Sequence, residues 1–232
     1  MNNWSNSIQE WLYPPTCLLC GRDGHGGHDL CAGCRADLPW LGRACRRCGE
    51  PLPEAAPEDI PCGRCLKKPP PFDAVHTLFR YEASARELIT GLKFRARHPA
   101  ARLLGELMAE RFAGCAEKPD LLIPVPLHRN RYTARGFNQA IELARPIARR
   151  LEIPLSLSDC IRSRATAPQA DLLADERRRN LKNAFNLRRP LEAEFVALID
   201  DVVTTGATAS ALAKVLRKAG VARVEVWACA RA

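Results

Sequence analysis

The chain has 232 residues, 47% of them hydrophobic, and a formal net charge of +9. The apolar fraction is sufficient for a packed core, whereas no apolar run approaches the roughly 18 residues that span a bilayer. The N-terminus also lacks the basic region and apolar stretch of a signal peptide. Composition therefore predicts a globular, cytoplasmic protein of one or two domains with no membrane span.

Four Cys-x-x-Cys pairs occupy the first 70 residues and include eight of the eleven cysteines. The pairs are Cys17/Cys20, Cys31/Cys34, Cys45/Cys48 and Cys62/Cys65. Two thiolates three residues apart bind one zinc from a tight turn, and two such turns complete a four-sulfur site. Eight cysteines therefore predict two zinc ions, which are structural because a closed site keeps no position for water. Redox chemistry is the alternative, although four pairs exceed the needs of one dithiol exchange site.

Serial pairing of these turns, first with second and third with fourth, is favoured by two glycines. Gly21 and Gly49 follow the second cysteine of the first and third pairs, so each ribbon would begin with a glycine-supported turn. An interleaved arrangement, first with third and second with fourth, is the alternative that the spacing leaves open. The remaining cysteines, Cys115, Cys160 and Cys229, are expected in the core.

Charge divides the chain near the proline run at residues 69–71. Residues 1–70 have no net charge, so the whole excess of +9 lies in residues 71–232. Together with the last cysteine pair, this step predicts a double zinc-ribbon module at 1–70 and a second domain at 71–232. Strands are predicted at 72–81 and 121–125, and helices at 85–94 and 99–114, which is an α/β pattern.

A basic turn follows the strand at 121–125. It reads PVPLHRNRYTARGFNQA over residues 124–140, where the prolines stop the strand and Gly136 is expected to open a helix that runs to about Arg150. Arg129, Arg131 and Arg135 are crowded into this turn. A solvated basic loop is one interpretation of this crowding.

A third strand is predicted at 155–161, and a long segment of mixed signals follows it. From Arg162 to Arg189 the chain carries 8 basic and 3 acidic residues, including three consecutive arginines at 177–179. A charge run of this kind is often a solvated helix face.

The stretch VALIDDVVTTGAT, residues 196–208, carries the strongest functional signal. Val196 to Ile199 fits a buried parallel strand, and residues 209–218 have the apolar spacing of a helix. The first N–H groups of such a helix favour an anion, and Gly206 lets the backbone approach a phosphate while neighbouring threonines add hydroxyl donors. Asp200 and Asp201, at the end of the strand, suit the hydroxyls of a diol. The ligand predicted by both features is a ribose 5-phosphate, and an ordinary turn with an aspartate helix cap is the alternative.

This stretch resembles the phosphoribosyl pyrophosphate (PRPP) motif of type I phosphoribosyltransferases, and every position matches. Neither a Walker phosphate loop nor a dinucleotide-binding glycine pattern is present. The candidate catalytic residues are Asp200 and Asp201. The candidate PRPP-binding residues are Val202, Val203, Thr204, Thr205, Gly206, Ala207, Thr208, His128, Arg129, Arg177 and Arg178. By position in the type I family, His128 and Arg129 face the pyrophosphate, and the arginine run corresponds to the flexible hood.

The zinc module, the loop PVPLHRNRYTARGFNQA, the hood and the PRPP motif, in this order, resemble the ComF competence-protein family over nearly the whole chain. The resemblance implies a zinc-ribbon module joined to a type I phosphoribosyltransferase-like parallel sheet flanked by helices, with a role in DNA uptake. Expected ligands are two structural zinc ions and magnesium with PRPP. The expected partners are PRPP, single-stranded DNA and a competence helicase.

Three functions stay open at this point. The chain is a Mg²⁺-dependent phosphoribosyltransferase, a PRPP- or nucleotide-binding protein without transfer, or a single-stranded DNA-binding component of the uptake machinery. Only 6% of residues are aromatic, so DNA binding would depend on backbone electrostatics rather than on base stacking.

Overall fold

The computed structural model describes residues 14–95, 98–115, 117–163 and 183–232. Six strands lie within these residues: β1 Ala74–Arg80, β2 Leu121–Pro124, β3 Cys160–Arg162, β4 Phe185–Leu187, β5 Phe195–Val203 and β6 Arg223–Arg231. They are accompanied by seven helices: α1 Ala32–Ala36, α2 Gly63–Lys67, α3 Ala83–Arg95, α4 His98–Phe112, α5 Arg129–Arg135, α6 Gln139–Leu151 and α7 Ala207–Lys218.

Four strands form a parallel sheet in the order β1-β6-β5-β2. The two central strands are mostly apolar and mostly buried, as expected for parallel strands that are covered on both faces. The carboxyl ends of β2 and β5 are neighbours, so the loops that follow these two strands meet at one edge of the sheet. The expected fold class, a parallel α/β sheet flanked by helices, is confirmed.

Helices cover both faces of the sheet. Residues of α3, α4 and α6 share one apolar core with one face of the sheet, and α7 packs in a second core on the other face. Gly105 permits the close crossing of α4 and α6, because a Cβ there would lie 2.8 Å from the carbonyl oxygen of Leu143. The predicted helices at 85–94 and 99–114 are confirmed with small shifts of their ends.

A short antiparallel ribbon of β3 and β4 stands apart from the sheet. The predicted strand at 155–161 is wrong in extent, because only Cys160 and Ile161 of that run belong to β3. A turn interrupts the run: Ser156 Oγ donates to Asp159 at 2.6 Å, and the Asp159 backbone N–H donates back to Ser156 Oγ at 3.2 Å. Leu155 forms only an isolated bridge to Leu122.

The first ribbon, residues 15–38, docks on α4. His28 places its two ring nitrogens 3.1 Å and 2.9 Å from carboxylate oxygens of Glu106 and Glu110, and Arg35 also reaches Glu110 at 3.0 Å. The proposed boundary near residue 70 stays a prediction. Within the described ranges, no helix is long and apolar enough to cross a membrane.

Candidate ligand site and metal centres

The eight N-terminal cysteines form two groups of four. Cys17, Cys20, Cys31 and Cys34 form the first, and Cys45, Cys48, Cys62 and Cys65 the second, with all sulfurs of a group within 4.8 Å of one another. Cys20 Sγ and Cys31 Sγ are 3.7 Å apart, and Cys48 Sγ and Cys62 Sγ are 3.8 Å apart. Tetrahedral zinc with Zn–S bonds of about 2.3 Å requires sulfur separations of about 3.8 Å, so both groups fit structural zinc. The pairing is serial, and the interleaved alternative is wrong.

Backbone N–H groups prepare one thiol in each group for metal binding. Burial alone raises the pKa of Cys17, but N–H donors, including that of Cys31, lower it to about 6. Burial likewise opposes ionisation of Cys45, yet the N–H of Cys62, 3.1 Å from its sulfur, and other donors bring its pKa to about 7. Because zinc binds the thiolate, these N–H···S contacts favour the metal-bound form.

Asp200 and Asp201 lie inside β5 rather than after it, because the strand continues to Val203. Both are half-buried, and Asp200 is in register with Ala228 of β6. Asp200 Oδ1 accepts the N–H of Asp201 at 2.9 Å, and Asp201 Oδ1 accepts the N–H of Val202 at 2.7 Å. Each carboxylate is therefore turned toward the carboxyl end of the strand, where the sheet meets the next loop.

The loop of Thr204, Thr205 and Gly206, here called the phosphate loop, joins β5 to α7. Gly206 is the N-cap of α7 with a φ of +70°, a left-handed conformation that suits glycine. A Cβ at this position would also lie 3.4 Å from the Phe72 ring. The two threonines are exposed, and α7 begins at Ala207, two residues earlier than predicted. The loop thus presents hydroxyls and the first N–H groups of a twelve-residue helix together.

The second predicted loop follows β2 and differs from the sequence prediction. Residues 129–135 form the short helix α5, with His128 as its N-cap, and His128 Nδ1 accepts the N–H of Asn130 at 3.2 Å. Gly136, expected to open a helix, instead ends α5 with a φ of +78°. The reason is that glycine adopts the left-handed conformation that commonly terminates a helix. Arg129 is exposed at the start of α5.

Asn138 is a structural residue of this loop, and no role was predicted for it from the sequence. It is 5% exposed, and its Oδ1 caps α6 by accepting the N–H of Ala140 at 3.0 Å. Its Nδ2 donates to the carbonyl of Val125 at 3.0 Å. Asn138 therefore ties the start of α6 to the end of β2. The asparagine before an amphipathic helix was the available signal.

The β3–β4 ribbon lies beside the loop after β2. His128 and Arg162 form an isolated parallel bridge, and the Arg162 guanidinium lies 5.5 Å from the centre of the Phe185 ring. Ser163 N–H donates to Ala184 O at 3.0 Å, so these two residues are adjacent although they are 21 positions apart in the sequence. Arg177 and Arg178 lie outside the described residues, and their role as a hood stays a prediction.

A cleft of about 950 Å³ lies away from these loops, between the second zinc ribbon, which contains Cys45 to Cys65, and the amino-terminal ends of β1 and β6. Its walls include Arg47, Asp73, His76, Arg223 and Glu225. These charges pair with one another: Arg47 with Asp73, and both His76 and Arg223 with Glu225. The cleft is therefore a junction between the ribbon and the sheet in which these charges neutralise one another.

Comparison with known proteins places the chain in a family. The family model "Double zinc ribbon domain" matches residues 8–66. The chain is 39% identical over 227 residues to "DNA utilization protein YhgH" of Escherichia coli O157:H7, covering 94% of this chain and 97% of that protein. It is 36% identical over 225 residues to "Competence protein F" of Haemophilus influenzae, with 93% and 96% covered.

A relative of lower identity is also similar to this chain over most of its length. "Competence protein ComFC" of Bacillus subtilis is 27% identical over an alignment of 237 positions, which covers 93% of this chain and 94% of that protein. Each of these three alignments covers at least 93% of this chain. The chain belongs to the ComF competence-protein family.

Proposed function

We propose that the chain binds PRPP at the carboxyl ends of β2 and β5 and acts in DNA uptake. The observation that carries the proposal is the direct succession of two half-buried aspartates, a strand end, and a left-handed glycine that caps α7. This succession offers carboxylate acceptors and N–H donors a few residues apart. A ribose 5-phosphate needs both kinds of group, because its hydroxyls donate and its phosphate accepts.

The phosphate and the ribose use different parts of the site. The 5′-phosphate is bound by the N–H groups at the start of α7 and by the hydroxyls of Thr204, Thr205 and Thr208. Asp200 and Asp201 accept hydrogen bonds from the 2′ and 3′ hydroxyls. No acidic residue lies in the first turn of α7, so the helix terminus keeps its attraction for an anion.

The pyrophosphate is assigned to the basic loop and the hood. His128 and Arg129 stand at the end of β2, the strand next to β5, and Arg177 and Arg178 belong to the segment that leaves from the adjacent ribbon. Mg²⁺ prefers carboxylate and phosphate oxygens, and Asp200 and Asp201 supply the carboxylates of this site. A bound Mg²⁺ would neutralise the charge that develops on the departing pyrophosphate.

The role in DNA uptake rests on the relatives. Three of them are named for DNA utilization or competence. The net positive charge of residues 71–232 adds a physical reason, since it attracts nucleic acid backbones. Single-stranded DNA is therefore proposed as the macromolecular partner, and a competence helicase as the protein partner.

Calorimetry with PRPP and Mg²⁺ tests the site. In the double variant Asp200→Ala with Asp201→Ala, PRPP affinity should fall at least ~100-fold, because two charge-assisted hydrogen bonds of about 1.5–3 kcal/mol each are lost. The control is Glu192→Gln with Glu194→Gln, which removes the same charge from exposed positions just before β5. Equal affinity of the aspartate variant and the parent would refute the ribose-phosphate assignment.

A second experiment separates transfer from binding. The protein is incubated with PRPP, Mg²⁺ and a panel of nucleobases, and pyrophosphate release is measured. Release with one base, lost in the aspartate double variant, identifies a phosphoribosyltransferase. PRPP binding without release with any base assigns the site to ligand binding alone.

A further inference from the structure

The second zinc site contacts the base of the phosphate loop through two separate routes. The turn of that site, here called the second knuckle, is residues 45–50 and contains Cys45, Cys48 and the left-handed Gly49. The two routes leave from the side chain of Arg47 and from the carbonyl of Cys48. Both end at residues that flank or touch the phosphate loop.

The first route passes through Arg231, the last residue of β6, which is only 5% exposed. Its Nε donates to the carbonyl of Cys48 at 3.1 Å, and its Nη1 donates to the carbonyl of Val203 at 3.2 Å. Its Nη2 also pairs with the carboxylate of Glu50. One planar guanidinium thus joins the zinc ligand Cys48 and Glu50 of the same knuckle to the residue that immediately precedes the phosphate loop.

The second route passes through Phe72. Arg47 Nη1 donates to the carbonyls of Phe72 at 3.2 Å and Asp73 at 3.1 Å. The Phe72 ring is 2% exposed and lies against Gly206, where a Cβ would come within 3.4 Å of it. Moving the second knuckle would therefore move the ring that supports the glycine cap of α7.

The second knuckle packs closely against β1 and Arg231. At Gly49 a Cβ would lie 3.0 Å from Val75 Cγ1 and 3.7 Å from Arg231 Cδ. The knuckle thus rests directly on β1 and on the aliphatic stem of the arginine. Well-packed contacts of this kind transmit small displacements rather than absorbing them.

The first zinc site is attached elsewhere. The described side-chain contacts of its ribbon to the rest of the protein include His28 with Glu106 and Glu110, and Asp29 with Arg102 at 2.5 Å, all on α4. The two zinc sites have similar sulfur geometry, yet among the described residues the contacts to the flanks of the phosphate loop come from the second site. This difference provides an internal control.

We propose that the second zinc site is the support of the phosphate loop, and that Arg231 is a positioning residue for phosphate binding. Zinc at the second site holds the Cys48 carbonyl and Arg47 in place. Arg231 then fixes the position of Val203, and Phe72 fixes that of Gly206. Loss of the first zinc leaves the loop unchanged. The consequence for ligand affinity rests on the PRPP site proposed above, whereas the consequence for the order of the loop does not.

The test compares matched variants by two measurements. Cys62→Ser with Cys65→Ser removes the second zinc, and Cys31→Ser with Cys34→Ser removes the first. Without ligand, amide hydrogen exchange over residues 203–208 should be about tenfold faster or more in the variant that lacks the second zinc. In the variant that lacks the first zinc, it should keep the parent rate. PRPP affinity measured by calorimetry should fall in the variant that lacks the second zinc and stay at the parent value in the variant that lacks the first.

Arg231→Lys keeps both zinc sites and the buried charge but cannot reach two carbonyls with a planar fork. We expect two zinc ions per chain, faster exchange at residues 203–208, and PRPP affinity reduced on the order of tenfold. Unchanged exchange in Arg231→Lys, or equal acceleration in the two cysteine variants, would overturn the proposal. If the parent itself does not bind PRPP, the proposed function fails while the exchange result still decides this inference.

Discussion

Glu225 is expected to make the protein more stable above pH 5 than at lower pH. It is 3% exposed, with its carboxylate 2.7 Å from Arg223 Nη2, 3.3 Å from His76 Nε2 and 3.2 Å from Trp227 Nε1. Burial alone raises the pKa of Glu225, but His76, followed by Arg223 and Trp227, lowers it to about 2. Because this folded-state pKa is below the unfolded value of about 4.3, the stabilisation is complete above the unfolded pKa and is lost as pH falls toward 2.

The size of the effect follows from the pKa difference. About two pKa units correspond to about 3 kcal/mol of unfolding free energy. Glu225→Gln keeps an acceptor for the Trp227 N–H but removes the charge. The parent should therefore be about 3 kcal/mol more stable than Glu225→Gln at pH 6, and the two proteins should converge as pH approaches 2.

Urea unfolding followed by circular dichroism from pH 6 to pH 2.5 measures this difference. Zinc release at low pH affects both proteins and cancels in the comparison. Glu192→Gln, at an exposed position, serves as the control and should follow the parent at every pH. A difference between parent and Glu225→Gln that stays constant across the pH range would refute the ionic account of this buried carboxylate.

Three further outcomes are expected. Metal analysis of the reduced protein should find two zinc ions per chain, and chelation should unfold the ribbons before the sheet; one zinc or none would contradict the double site. Asn138→Ala should lower the unfolding free energy by about 1–3 kcal/mol in urea titrations, because a helix cap and the partner of a buried carbonyl are lost; a change below about 0.5 kcal/mol would contradict this role. Arg177→Glu with Arg178→Glu should weaken single-stranded DNA binding. In the parent, the logarithm of the DNA affinity should fall linearly with the logarithm of the salt concentration, with a slope of about 0.7 per phosphate contact. Salt-independent binding would show that the basic surface does not contact DNA.

Local chemistry made several features predictable from the sequence. The cysteine spacing predicted two structural zinc sites, because a four-sulfur site needs two turns of this kind and little else. The apolar run before Asp200 predicted a buried parallel strand, and the small residues after Val203 predicted a strand-to-helix turn. Both kinds of signal extend over a few neighbouring residues, so they do not depend on the rest of the fold.

The predictions that were wrong concern residues whose local preferences are ambiguous. Gly136 fits the start of one helix or the end of another, and the left-handed conformation at the end of α5 shows which applies. The run from Leu155 to Ile161 has the composition of a strand, but the Ser156–Asp159 turn removes its first half from β3. A turn made by two side chains competes with strand pairing in a way that composition does not reveal.

Only the tertiary structure decided which distant residues meet. The sheet order places β2 beside β5 and so brings His128 to the same edge as Asp200, although neither motif specifies its neighbour. Arg231 joins Cys48 and Val203, which are 183 and 28 residues away from it along the chain. A side chain at the end of a strand can pair with many carbonyls, and packing of the whole sheet against the second ribbon selects these two. The link between the zinc site and the phosphate loop is for this reason a property of the fold.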